Sequence, residues 1–221
     1  KWRLIDAVHL ILFLAVFLKR FFAAEFVFTL GISYPIISLN KKFDDSIRLS
    51  YSTTENVTNV KDLKHDIVKH TLEYFDITKG IEIASISDLP SNGTGMGASS
   101  AFAVGLIQAI ELFRFEKETL SKSSLAELAC QIEINLCKKP IGKQDQYACA
   151  IGGLNFLSFG PKDSWSHTKL QINNSKKSSL EDRMILIFTG VSRSSSEINK
   201  NFIDNIPLHS KYLKRLQELS I

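Results

Sequence analysis

Apolar residues recur at helical spacing in three stretches. Over 65–75, Ile67, Val68, Leu72 and Phe75 share one face and predict a helix. Residues 98–115 are apolar almost throughout and predict a long buried helix. Leu125, Leu128, Ala129, Ile132 and Leu136 predict a third over 125–136. Strict alternation predicts half-buried strands at 47–51 and 81–86, and short apolar runs predict others at 26–30, 34–38, 152–158 and 184–189. Between these, 40–45 is polar and fits a hairpin turn, 56–62 reads as a loop, and 88–97 is rich in glycine. Residues 163–179 read as a linker or a long hairpin. The last stretch, 195–221, has helical character interrupted by Pro207. There are no internal repeats. Helices and strands of this kind fit a sheet and helices in two layers, a mixed α and β architecture.

Composition narrows the class. The 221 residues suffice for one domain plus part of a second, and 44% hydrophobic with 23% charged residues is ordinary for a globular chain. A net charge of +4 with scattered lysines gives no footprint for a nucleic-acid polymer. Three cysteines, Cys130, Cys137 and Cys149, without a CxxC pair give neither a disulfide framework nor a zinc signature. Reduced thiols and a cytoplasmic location are the expectation. The apolar run 7–18 is shorter than the ~20 residues of a membrane span, which argues against a membrane protein. Its basic flank and Ala23-Ala24 give a faint signal-peptide pattern, and a buried or mis-joined terminal segment is the preferred reading.

Two stretches carry chemistry. The first, Pro90-Ser-Asn-Gly-Thr-Gly-Met-Gly-Ala-Ser-Ser-Ala101, lies between a predicted strand and a predicted helix. Gly93, Gly95 and Gly97 permit positive φ and close backbone approach to a ligand. Free N–H groups and the helix dipole would then attract a phosphate, and Ser99 and Ser100 add hydroxyls for a phosphate oxygen or a metal. No Lys follows the last glycine, so this is no Walker loop, and GxGxG spacing is no Rossmann fingerprint. A plain glycine-rich turn with a serine cap remains an alternative. The second stretch, Ile141-Gly-Lys-Gln-Asp-Gln-Tyr147, offers Asp145 to accept a proton from, or orient, an attacking hydroxyl. Lys143 could stabilise phosphate charge or keep Asp145 ionised. A solvated polar turn is the alternative here.

Together these stretches resemble the GHMP kinases, and within them the D-glycero-D-manno-heptose 7-phosphate kinases. The glycine-rich stretch is similar to a family motif that reads roughly P-x-x-x-G-L-G-S-S-A, with Met96 and Ala98 as departures. Gly142-Lys-Gln-Asp-Gln-Tyr147 followed by Gly152-Gly-Leu-Asn-Phe156 matches the heptose kinases closely. The resemblance implies an α+β fold: a ribosomal-protein-like N-terminal domain plus a partial ferredoxin-like C-terminal domain. It implies that Asp145, with Lys143, is catalytic, and that Pro90, Gly93, Gly95, Gly97, Ser99 and Ser100 bind ATP. Ser99 and Glu133 would hold magnesium, the latter from Gln131-Ile-Glu-Ile-Asn135, where a solvent-facing carboxylate is the alternative. Thr189-Gly-Val-Ser-Arg-Ser-Ser-Ser-Glu-Ile198 is similar to T-G-I-T-R-S-A-S-E-I of these kinases, and Arg193 there could clamp a substrate phosphate.

The implied partners are ATP, magnesium and a small sugar phosphate. The implied reaction is phosphorylation of the anomeric hydroxyl of heptose 7-phosphate to the 1,7-bisphosphate. Residues 1–38 lie outside the resemblance as an atypical apolar segment; 39–165 form the expected ATP-binding domain and 166–221 the start of the second. The family's early Gly-rich sugar turn and late closing loop have no counterpart in the sequence, so weak or no turnover is expected of this chain alone. The rivals are a kinase for another sugar, such as fucose or galactose, and a catalytically incomplete nucleotide-binding remnant.

Overall fold

The computed structural model describes residues 9–12, 23–25, 28–31, 35–87, 97–160 and 164–183, with single positions at 200, 204, 205, 211 and 215. The first three strands are β1 (His9–Leu12), β2 (Ala23–Glu25) and β3 (Phe28–Gly31); β1 pairs with β3 antiparallel. β4 (Ile36–Lys41), β5 (Ile47–Ser50) and β6 (Thr54–Val57) follow, and a short 3-10 turn leads to α1 (Asp66–Tyr74). Next are β7 (Ile81–Ile86), α2 (Ala98–Phe115), α3 (Lys122–Cys130), α4 (Gln144–Ile151), β8 (Asn155–Phe159), β9 (Trp165–Lys169) and α5 (Asn174–Glu181).

The main sheet has four strands in the order β4-β7-β5-β6. β7 runs antiparallel to β4 and parallel to β5, so it lies between two strands that are neighbours in sequence. The polar stretch 40–45 is therefore a connection around β7 and not the turn of a hairpin. The reason is burial: Ile81 and Ile83 of β7 and Ile47 and Leu49 of β5 are fully shielded, whereas β4 alternates between exposed and half-buried residues. The more apolar strand takes the centre and the more polar one the edge. The loop expected over 56–62 is likewise corrected, because Thr54–Val57 pairs with β5 as an outer strand.

The buried faces of α1 and α2 complete one core with the sheet, including Val68, Leu72, Leu106, Ile107 and Ile110. A Cβ at Gly105 would meet Ile37 Cδ1 at 3.2 Å, so this glycine lets α2 lie close against β4. Of the described helices, α2 alone is long and apolar enough to cross a membrane, and these core contacts account for its apolar character. A second sheet, β2-β8-β9, is antiparallel throughout. The stretch 163–179, read as a linker or long hairpin, instead supplies only the second strand of the β8–β9 hairpin and then most of α5. The strand predicted at 184–189 lies outside the described residues; of the helix predicted at 195–221, the five single positions are described.

Candidate active site

The third predicted helix divides in two. α3 is regular to Cys130, and Gln131–Leu136 then widens into a turn of π type, with Cys137 N–H donating to Ile132 O at 2.8 Å. Wide turns of this kind redirect side chains and recur at functional sites. Here Glu133 points inward and is 0% exposed, which removes the solvent-facing alternative.

Glu133 meets the start of α2. Ser99 Oγ donates to its Oε1 at 2.6 Å and Ser100 Oγ to its Oε2 at 2.7 Å. Gln146, from the first turn of α4, donates through Nε2 to Oε2 at 2.7 Å. Lys139 Nζ donates to Oε1 at 3.0 Å and also to Ser99 Oγ at 2.7 Å. One buried carboxylate thus gathers the N-termini of two helices and the loop between α3 and α4. The cost of burying a charge makes such a full set of partners necessary.

Gly97 precedes α2 at φ 67°, the left-handed conformation that glycine adopts without strain. Ser99 is exposed, whereas Ser100 is 2% exposed and spends its hydroxyl on Glu133. Lys143 sits at the N-terminal boundary of α4 and Asp145 within its first turn, with carboxylate oxygen Oδ1 buried. Asp145 is next in sequence to Gln146, which ties this turn to Glu133. Pro90, Gly93, Gly95 and Arg193 lie outside the described residues.

Sequence reasoning missed Lys139 and Gln146. Gln146 stands inside a quoted motif, yet nothing in its type marks it as a partner for a residue thirteen positions earlier. The signal for Lys139 was weaker still, since it lies among scattered lysines. His65 is a further neighbour: its ring packs edge-on against Tyr51 and tilted against Phe102. Burial and then the Lys139 ammonium hold its pKa below the ordinary histidine value.

The three thiols are poor nucleophiles. Burial pushes Cys130 up to about 12 and Cys137 up to about 11, and raises Cys149 as well.

The donor set suits magnesium. A serine hydroxyl and a carboxylate are hard oxygens, and this metal commonly takes one or two protein carboxylates beside substrate phosphates. Gln146, whose Nε2 donates to Glu133, has its Oε1 buried with no hydrogen-bond partner among the described residues. Among the described residues no three His, Cys, Asp or Glu side chains form a cluster that could hold a metal ion.

Residues 62–153 match the family described as GHMP kinases N terminal domain. A Campylobacter jejuni protein, D-glycero-alpha-D-manno-heptose 7-phosphate kinase, is 33% identical over 163 residues, covering 72% of this chain and 47% of that protein. The chain therefore spans less than half the length of this curated relative. Among solved structures, a D-glycero-D-manno-heptose 1-phosphate kinase from Bacteroides thetaiotaomicron shares the fold at a TM-score of 0.62 and 21% identity, over 81% of this chain and 60% of that one. A candidate sugar kinase from Campylobacter jejuni gives a TM-score of 0.61 at 27% identity, over 83% of this chain and 60% of that one.

Proposed function

Because residues 62–153 match the GHMP kinases N terminal domain, we propose that the chain is part of an ATP-dependent sugar kinase of this family, acting on the anomeric hydroxyl of D-glycero-D-manno-heptose 7-phosphate. In this reading 39–165 form the ATP-binding domain and 166–221 begin the second domain. A cytoplasmic location follows from the same reading, since ATP and sugar phosphates are found there. The observation that carries it is the bond between Ser99 and Glu133, 34 residues apart, at the N-terminus of an 18-residue helix that follows a glycine-rich stretch.

The chemistry is mostly positioning. The N-terminus of α2 presents backbone N–H groups and the positive end of its dipole to the phosphates. Ser99 and Glu133 would hold magnesium, which would supply positive charge to offset that of the phosphates. Asp145 accepts the proton of the attacking hydroxyl or orients it, and Lys143 offsets phosphate charge beside it. Arg193 clamps the phosphate already on the sugar. A 7-phosphate acceptor is supported by the 33% identical relative and by the Gly142-Lys-Gln-Asp-Gln-Tyr147 sequence.

A second reading, a nucleotide-binding remnant without turnover, is favoured by one observation: the Lys139 ammonium lies against both proposed metal donors. ATP consumption with magnesium on a panel of heptose 7-phosphates and free sugars separates the two. Turnover confined to a heptose 7-phosphate, however weak, and lost in Asp145→Ala would support the kinase and its carboxylate. Nucleotide binding with no turnover on any sugar would favour the remnant, and turnover on a free hexose would move the substrate to another sugar.

A further inference from the structure

Lys139 reaches the site from outside every motif, yet makes two contacts at its centre. Its Nζ lies 2.7 Å from Ser99 Oγ and 3.0 Å from Glu133 Oε1. Both oxygens belong to the two residues proposed above as metal donors. The Lys139 side chain is 26% exposed and that of Glu133 0%. The lysine is also fixed at its base, because its N–H donates to Glu133 O at 3.1 Å across the wide turn. The ammonium therefore has a secure tether and an open side towards solvent.

Charge decides what this arrangement can do. A buried carboxylate needs a counter-charge, and the hydroxyls of Ser99 and Ser100 and the amide of Gln146 are neutral donors. Lys139 supplies the charge. An ammonium between a hydroxyl oxygen and a carboxylate oxygen holds the place a small hard cation would take between them. Both cannot occupy it together, because like charges at that separation repel. Exchanging a monovalent for a divalent cation leaves one extra positive charge on the site. A polyphosphate arriving with the metal cancels it and gives the released ammonium a new partner.

We infer that Lys139 is a displaceable stand-in for the metal: it neutralises Glu133 while no metal is bound and yields its place to magnesium arriving with a nucleotide polyphosphate. This rests on the reading of Ser99 and Glu133 as metal donors. It makes metal binding by the free chain weak and dependent on the nucleotide, through a lysine rather than through a missing ligand.

The test uses the full chain, Lys139→Met, and the double variant Lys139→Met/Glu133→Gln, without nucleotide. Manganese binding is read by electron paramagnetic resonance, and thermal unfolding is followed in EDTA and in millimolar magnesium. Lys139→Met should bind manganese about tenfold more tightly than the unaltered chain, in the ordinary range of coupling between two competing occupants. It should melt lower in EDTA and recover in magnesium, whereas the unaltered chain responds little. If it does not fold in EDTA, its refolding yield with and without magnesium reads the same quantity. The double variant carries neither charge, and should fold in EDTA and lose the metal response. Equal manganese affinity in Lys139→Met and the unaltered chain, with no magnesium rescue, would overturn the inference.

Binding of a fluorescent ATP analogue to the unaltered chain is measured separately. Nucleotide binding without a metal response in Lys139→Met removes the exchange and leaves the kinase reading intact. A metal response in Lys139→Met with no nucleotide binding by the unaltered chain removes the kinase reading and supports the exchange.

Discussion

The ring of His65 occupies a position where protonation is unfavourable. It packs between Tyr51 and Phe102, its Nδ1 faces the Val68 N–H at 3.5 Å, and the Lys139 ammonium opposes a second positive charge. Glu55 and Asp66 act in the opposite direction, and burial outweighs them. The folded-state pKa is therefore below 6.5, and the unfolded chain binds this proton more readily. Stability contributed by the neutral ring is present at pH 7 and is lost as pH falls from 6.5 towards the folded pKa. Urea denaturation at a series of pH values should show that decline, and His65→Gln should flatten it. An unchanged slope in the variant would assign the decline to other groups. At this scale the sequence was informative where a residue's role is set locally. Ser99 and Glu133 could be singled out because each stands in a recognisable stretch. Lys139 and Gln146 could not, since their partners depend on a wide turn whose hydrogen bonds leave no pattern in residue type.

Helix α2 was legible over its whole length, because eighteen mostly apolar residues bounded by a glycine-rich stretch and a charged one leave little choice of ends. What the pattern missed lies at its C-terminus. Glu116 adopts φ 56°, a left-handed cap that usually falls to glycine, and its side chain is exposed. Upstream, Glu111 is 1% exposed in an otherwise apolar run. Its Oε1 accepts from the N–H groups of Thr119 and Leu120 at 3.2 and 3.1 Å, and from the Thr119 hydroxyl. Glu111 thereby pins the chain that leaves α2 and fixes where α3 begins. Glu116→Gly relieves the left-handed strain without touching these bonds and should stabilise the protein by about 1 kcal/mol. The expected reading is a higher denaturation midpoint with the same slope. A lower midpoint would mean that the added freedom of glycine in the unfolded chain outweighs the relieved strain. The strands were harder. β5 and β7 showed their alternation, but their order did not follow from it. Pairing partners are set by burial across the whole sheet, and β7 enters between β4 and β5 only after thirty residues have intervened.

For the molecule as a whole, the sheet and its helices bring Glu133 to the start of α2, so the proposed ligand site exists in the folded chain alone. A ligand that binds only the folded state stabilises it by mass action, by about 2.7 kcal/mol at a hundredfold excess over its dissociation constant. For a chain of this size each kcal/mol raises the melting temperature by about 2–4 °C. Saturating magnesium-ATP should therefore raise it by about 5–10 °C. The proposed roles divide the variants. Asp145→Ala removes a group that acts on the acceptor hydroxyl, so its nucleotide-induced shift should match that of the unaltered chain while turnover is lost. Ser99→Ala removes a hydroxyl that serves the metal, the buried Glu133 and Lys139 together. It should melt lower without ligand and show most of the shift abolished. Equal shifts in Ser99→Ala and the unaltered chain would separate the nucleotide site from the Ser99–Glu133 pair, and the carboxylate would then be a structural tie between the two helices. A shift lost in Asp145→Ala as well would place that carboxylate among the groups that bind the nucleotide, and its part in activating the hydroxyl would have to be carried by another side chain.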